Sequence, residues 1–177
     1  MKFWWIGVLA MAALACGIGV AAAAELRAEM RQATPTGPGG SLGTVTIGDG
    51  ADGAAVKTAL KGLPAGAHGF HIHEKGSCQP TTANSQAVPA GGAGGHFDPQ
   101  KTGKHEGPHG NGHLGDLPLL QAAADGTATE TLTAHHLTDV AALRGKSVMI
   151  HAGGDNYSDQ PTPLGGGGAR IACGVLE

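Results

Sequence analysis

Seven side chains of the types that bind transition metals stand in three separated stretches of this sequence. They are His71 and His73 in the first stretch, His96, His105, His113 and Asp116 in the second, and His151 in the third. Imidazole is a preferred ligand of copper and zinc, and a carboxylate beside histidines favours zinc at a second position. The sequence therefore predicts a two-metal centre.

The first stretch, His71-Ile72-His73, has the spacing of a strand. Alternate side chains of a strand share a face, so both histidines point to one side while Phe70 and Ile72 point to the other. A solvated strand face is the alternative, but the apolar alternation and the other histidines favour metal binding. His68 falls on the face opposite His71, and we expect it to hydrogen-bond backbone.

His113 and Asp116 are three positions apart, a spacing at which one turn of chain can direct both side chains at one ion. With His96 and His105 they form a set of three nitrogens and one oxygen, which suits tetrahedral zinc. A set closed by four protein ligands is structural rather than catalytic. His109 lies in the same stretch, but its glycine and proline neighbours favour an exposed position rather than ligation.

Residues 1–24 are predicted to be a signal peptide, because Lys2 precedes an apolar run that ends in small residues at 21–24. A transmembrane anchor and lipidation at Cys16 are the alternatives. Cleavage leaves one domain, 25–177. Losing Lys2 changes the formal net charge from −3 to −4, which argues against non-specific nucleic-acid binding.

Cys78 and Cys173 are the cysteines that remain after residue 24. In an exported domain the two are expected to form one disulfide, because such bonds persist in oxidising compartments. Two buried thiols are the alternative. Closing so long a loop would stabilise the fold by about 2–4 kcal/mol.

The pattern after residue 24 is one of short alternating stretches separated by turn-forming residues, which predicts an all-β sandwich or barrel. The predicted strands are Glu25–Thr34, Ser41–Gly48, Ala54–Leu63, His68–Glu74, Gly126–Thr133 and Ser147–His151. A helical turn is possible at Leu137–Leu143. Segments 76–118 and 152–169 are predicted to be long loops, which metals and a disulfide would order.

Five motifs then make a family resemblance specific. They are His68-Gly-Phe-His-Ile-His73, Gly95-His-Phe-Asp-Pro99, Gly112-His-Leu-Gly-Asp116, His151-Ala-Gly-Gly-Asp155 and Gly168-Ala-Arg-Ile-Ala-Cys-Gly174. Residues 25–177 resemble copper/zinc superoxide dismutases of the exported bacterial type. The resemblance implies a Greek-key β-sandwich with one copper and one zinc per chain. It also implies an enzyme of the periplasm, monomeric or homodimeric, that converts two superoxide anions and two protons into O2 and H2O2.

The resemblance also implies a role for each site residue. Copper would be held by His71, His73, His96 and His151, and zinc by His96, His105, His113 and Asp116, so that His96 bridges the two metals. In the implied reaction His96 also carries a proton. Asp155 would accept hydrogen bonds from one ligand of each metal, and Cys78 and Cys173 would form the disulfide. Arg170 would stand beside copper, where a fixed guanidinium attracts the superoxide anion.

Two other functions fit part of this pattern. A periplasmic protein that sequesters copper or zinc without turnover would need the histidines but not Arg170. A structural or chaperone-type relative would lack copper ligands, whereas all four are present here. Because the net charge repels superoxide, any attraction must be local. Besides Arg170, the candidates for it are Lys75, Lys101 and Lys104, although a solvated surface lysine is the simpler interpretation of Lys75.

Overall fold

The computed structural model describes Met1 and residues 25–177, and within them the chain is built from β-strands and short 3-10 turns. The strands are β1 Glu25–Thr34, β2 Gly37–Gly50, β3 Gly53–Leu60, β4 Gly66–His68, β5 Phe70–His73, β6 Thr81–Ala83, β7 Gln86–Val88, β8 Leu120–Ala122, β9 Thr131–Ala134, β10 Ser147–His151 and β11 Arg170–Val175. The all-β fold class predicted from the sequence is confirmed. Among the described residues, no helix is long and apolar enough to span a membrane.

Seven strands form one curled antiparallel sheet in the order β5, β10, β11, β1, β2, β3, β9. Its strands bury alternate side chains, as the period of two requires. In β1 the inward side chains are Leu26, Ala28 and Met30, which are all at most 1% exposed. β2 contributes Val45 and Ile47 to the same apolar core.

Three neighbouring strands at one end of this sheet position the site. β5 pairs with β10, with Phe70 opposite Ile150 and His73 opposite Ser147. β10 pairs in turn with β11, where His151 lies opposite Arg170 across a register shift. Three predicted histidines, His71, His73 and His151, and the predicted arginine are therefore brought to one edge of the sheet by backbone pairing.

The observed strands differ from the predicted ones in several places. β2 begins at Gly37 rather than Ser41, and β3 ends at Leu60 rather than Leu63. The predicted strand at 68–74 divides at Gly69, whose N–H donates to Gly153 and whose carbonyl accepts from His151. The predicted strand at 126–133 is formed only as β9, preceded by a bridge between Leu60 and Ala128. The sequence prediction also missed β11 and the short pairs β4–β8 and β6–β7.

Segments 76–118 and 152–169 are long connections, as predicted, containing only the β6–β7 hairpin and 3-10 turns. The possible turn at 137–143 is a 3-10 turn at Ala141–Leu143. The predicted disulfide is confirmed: it joins Cys78 to Cys173 across 95 positions. The first long segment is thereby attached to β11, three residues beyond Arg170.

Candidate metal centre

Backbone hydrogen bonds place two loop stretches directly against β5. His73 forms an isolated antiparallel bridge with His96, and His71 forms one with Asp116. Between them, the N–H and carbonyl of Ile72 bond to the carbonyl of Gly115 and the N–H of Phe97, both at 2.8 Å. Side chains that are far apart in sequence therefore converge on the histidine face of β5. On its opposite face, Phe70 and Ile72 pack into the apolar core.

Four histidines form the first set of ligand atoms. One nitrogen of each lies within 4.8 Å of the others, and all four side chains are buried; they are His71, His73, His96 and His151. This is the set predicted for copper. The His96 ring stacks on the His71 ring with 4.0 Å between centroids, and so lies where the first set meets the second.

A second set consists of His71, His96, His105 and Asp116, again with ligand atoms within 4.8 Å of one another. The zinc set predicted from the sequence has His113 where this grouping has His71. His113 is nevertheless adjacent, since its Nδ1 lies 3.5 Å from Oδ1 of Asp116. The other oxygen of Asp116 lies 2.9 Å from Nδ1 of His105, and Oδ1 lies 2.8 Å from Nδ1 of His96.

Among residues 25–177, six buried ligand atoms make no hydrogen bond of favourable geometry. They are Nδ1 of His71, Nε2 of His73, Nε2 of His151, Nδ1 of His105, Nδ1 of His113 and Oδ2 of Asp116. A buried polar atom without a partner is costly, and native proteins rarely contain several together. Two ligand atoms that are each about 2.0 Å from one tetrahedral ion lie about 3.3 Å from each other. The distances from the carboxylate oxygens of Asp116 to Nδ1 of His105 and Nδ1 of His113 are 2.9 Å and 3.5 Å, close to this value. The donor set fits one metal ion on each side of His96.

Backbone carbonyls select the nitrogen that two of these histidines present. Nδ1 of His73 donates to the carbonyl of Gly94 at 2.9 Å, and Nδ1 of His151 donates to that of Gly168 at 3.1 Å. A carbonyl only accepts, so each Nδ1 carries the hydrogen and each Nε2 keeps its lone pair. This is the arrangement that holds metal-binding histidines in the required tautomer.

The carboxylate of Asp155 selects the nitrogen that two other rings present, those of His71 and His105. Its Oδ2 accepts from Nε2 of His71 at 2.8 Å, and its Oδ1 accepts from Nε2 of His105 at 2.7 Å. Burial by itself would raise the pKa of Asp155. These hydrogen bonds outweigh burial and hold the pKa below its usual range. The backbone of Gly165 passes so close that a Cβ there would overlap Oδ1. Its φ of +70° also favours glycine.

The electrostatics of the two sets differ. Burial lowers the pKa of His71 to about 3, of His73 to about 2 and of His151 to about 4, so these rings are neutral, as metal ligands must be. Burial also acts on His105, but the contacts with Asp116 and Asp155 outweigh it and raise its pKa to about 9. The carboxylates thus favour a positive charge beside His105.

Arg170 is half-buried beside the first histidine set. Its guanidinium donates to the carbonyl of Ala90 at 2.7 Å and to that of Gly94 at 2.6 Å. The Gly94 carbonyl also accepts from His73, so one backbone group fixes both the cation and a ligand ring. The charge of Arg170 contributes to the lowered pKa of His73, after burial and His96.

His68 and His109 lie outside both ligand sets, as predicted. His68 is buried and bonds backbone, as expected: its ring nitrogens lie 2.8 Å from the carbonyls of His151 and Pro64. His109 is exposed and belongs to neither set.

Lys75 is exposed, with its Nζ 3.7 Å from Glu74. Lys101 and Lys104 are exposed as well.

Sequence reasoning missed two residues that hold the loops together. Oδ2 of Asp159 accepts from the backbone N–H of His105 at 2.9 Å, while its Oδ1 accepts from that of Leu164 at 3.1 Å. The hydroxyl of Tyr157 accepts from the N–H of Leu119 at 2.9 Å. No motif marks either residue, because each bonds to backbone.

Comparison with known proteins supplies an independent line of evidence. The family model described as copper/zinc superoxide dismutase matches residues 41–176. Cu-Zn superoxide dismutase 2 of Salmonella typhimurium is 54% identical over 169 residues, covering 96% of this chain and 97% of that protein. The solved Cu/Zn superoxide dismutase from Brucella abortus is 51% identical, with a TM-score of 0.85 over 87% of this chain and 100% of that one. The solution structure of the monomeric copper, zinc enzyme from Salmonella enterica is 55% identical, with a TM-score of 0.78 over the same shares.

Proposed function

The chain belongs to the copper/zinc superoxide dismutase family, and we propose which of its residues carry out each part of the reaction. The enzyme uses copper and zinc to convert superoxide into O2 and H2O2. The observation that carries the assignment is the group of partnerless buried ligand atoms. These atoms divide into three nitrogens on one side of His96 and two nitrogens with one oxygen on the other.

The all-nitrogen side is the proposed copper site. His71 offers Nδ1, while His73 and His151 offer Nε2, and His96 is the fourth ligand. Imidazole ligands suit copper, and no carboxylate enters this set. His71 can present only Nδ1, because its Nε2 is engaged with Asp155.

The mixed side is the proposed zinc site, with Nδ1 of His105, Nδ1 of His113, Oδ2 of Asp116 and His96 as ligands. We assign His113 here rather than His71, since the single available nitrogen of His71 belongs to the copper set. Four protein ligands close this site, which gives it a structural role. Nδ1 of His96 lies 2.8 Å from Asp116, so this nitrogen would bind zinc and Nε2 would be left for copper.

Arg170 is the proposed substrate-binding residue. When bound, copper supplies one-electron cycling, by which one superoxide is oxidised to O2 and a second is reduced to H2O2. Arg170 attracts and orients each anion, because two carbonyls hold its guanidinium beside the copper ligands. When its lone pair is not engaged with copper, Nε2 of His96 would take up one of the two protons that H2O2 requires and pass it on, and solvent would provide the other.

We further propose that the chain is exported to the periplasm and that residues 25–177 form the mature domain. The disulfide supports this location, since such bonds persist in oxidising compartments. Apart from Met1, the predicted signal peptide at 1–24 lies outside the described residues, as does Cys16, the site of the alternative lipidation. The proposed mature domain is a monomer or a homodimer, and the related Salmonella enterica enzyme is monomeric.

The substitution His73→Ala tests the division of ligands. It removes a nitrogen of the proposed copper set and leaves all four proposed zinc ligands in place. We expect purified variant protein to retain zinc and to lose copper and activity together. Loss of zinc with retention of copper would overturn the assignment.

A further inference from the structure

Two exposed histidines outside the metal centre face each other on the surface. His109 ends the 3-10 turn Gly107–His109, between the proposed zinc ligands His105 and His113. His135 follows β9. The centroids of the two rings are 5.4 Å apart and their planes are inclined by 38°.

This separation lies within the range found between rings of the proposed copper set. In the metal centre, ring centroids are 5.0 Å apart for His71 and His151, and 5.7 Å apart for His73 and His151. Zinc–nitrogen distances of about 2.0–2.1 Å lead to similar spacings, of about 5 Å between centroids. The pair on the surface is therefore already close enough to share a metal ion.

The His135 ring is held in the tautomer that a metal ligand needs. Its Nδ1 lies 2.9 Å from the backbone carbonyl of Asp52, which can only accept, so Nδ1 carries the hydrogen and Nε2 keeps the lone pair. His73 and His151 are fixed in the same way in the metal centre. Within residues 25–177, the His109 ring has no hydrogen-bond partner, so it is free to present either nitrogen.

We propose that His109 and His135 form a third metal site, for a divalent ion of the zinc or copper class, with water in the remaining positions. Two imidazoles suit these ions above other common cations. The ion would tie the chain between His105 and His113 to the turn after β9. This site is independent of the proposed roles of the buried ligands.

The test uses residues 25–177 loaded with both buried metals and then titrated with Zn²⁺. Calorimetry should detect one further equivalent, and the side-chain NMR signals of His109 and His135 should shift as it binds. His109→Ala and His135→Ala should each weaken this binding by about 10-fold or more. His136→Ala is the matched control, because His136 is adjacent and exposed but lines a depression with Gln100 and Asn111.

The control should bind the further equivalent as the parent does. The copper and zinc contents of all three variants, measured before titration, should equal those of the parent, because none of the three residues is a buried ligand. Absence of a further equivalent would overturn the proposal. So would binding that survives both His109→Ala and His135→Ala, or binding that only His136→Ala removes.

Discussion

The carboxylate of Asp155 accepts a hydrogen bond from Nε2 of His71 at 2.8 Å. Its other oxygen accepts from Nε2 of His105 at 2.7 Å, so one buried side chain orients a ring in each proposed ligand set. In both rings this leaves Nδ1 as the nitrogen available to a metal. Asp155 therefore determines which nitrogen each ring would present to its proposed metal.

Asp155→Asn should weaken zinc binding by about 10- to 100-fold, the usual effect of losing a group that orients a metal ligand. An asparagine offers one acceptor oxygen in place of two, and its amide group would oppose the second N–H. Zinc retention against a graded chelator measures the effect. Asp125→Asn is the control, since Asp125 is exposed and bonds only its neighbour Thr127. Equal zinc retention in the Asp155 variant and the parent would refute this role.

Arg170→Glu should keep both metals but lower kcat/KM by about 100-fold, as loss of a fixed charge at the reacting anion does in other enzymes. Its rate should rise with added salt, because screening weakens the repulsion between the new carboxylate and superoxide. Arg170→Lys, which keeps the charge but not the two-armed contact with Ala90 and Gly94, should retain intermediate activity. Normal turnover by the glutamate variant would exclude Arg170 from substrate binding.

His113→Ala should remove zinc and lower the free energy of unfolding while most copper is kept. Nδ1 of His113 lies 3.5 Å from Oδ1 of Asp116, on the proposed zinc side of His96. His113 is not a member of the four-histidine set proposed for copper. Metal analysis and denaturant unfolding of the same preparation give both values. Equal loss of the two metals would contradict the proposed division of ligands.

The double substitution Cys78→Ser and Cys173→Ser should lower the free energy of unfolding by about 2–4 kcal/mol, because the disulfide closes a long loop. Urea unfolding of oxidised parent and variant measures the difference. A reductant should destabilise the parent by a similar amount and leave the variant unchanged. A variant as stable as the oxidised parent would show that the bond contributes nothing to stability.

In the metal-free protein, His105 should make stability depend on pH. Its folded pKa of about 9 exceeds its ordinary value of 6.5 because Asp116 and Asp155 outweigh the effect of burial. The resulting stabilisation is fully present below pH 6.5 and is lost as the pH rises through about 9. His71, His73 and His151 have lowered pKa values, so their protonation changes the free energy of unfolding only below pH 6.5, outside this window. Unfolding of metal-free parent and His105→Gln across pH 6–10 should differ in slope, and parallel curves would refute the claim.

The strand face that carries the first two candidate ligands could be predicted from the sequence because its signal is local, whereas the role of each site residue was implied by the family resemblance. His71 and His73 alternate with Phe70 and Ile72, and a period of two places the pairs on opposite faces in any strand. The fold class followed from similar local patterns together with the family resemblance. The disulfide followed from there being two cysteines after residue 24.

Contacts between distant backbone groups could not be predicted in this way. The bridges that bring His96 and Asp116 to β5 depend on Gly115 and Phe97, which no local pattern links to Ile72. β11 was missed because its strand character is weak and its pairing with β1 and β10 is long-range. The contact between His109 and His135 likewise exists only once β9 is placed.

Measurement of copper, zinc and superoxide removal on one preparation of residues 25–177 tests the proposed centre most directly. We expect one copper and one zinc per chain, with activity that follows the copper content. A protein that holds both metals and does not remove superoxide would contradict this expectation, and would instead indicate metal sequestration.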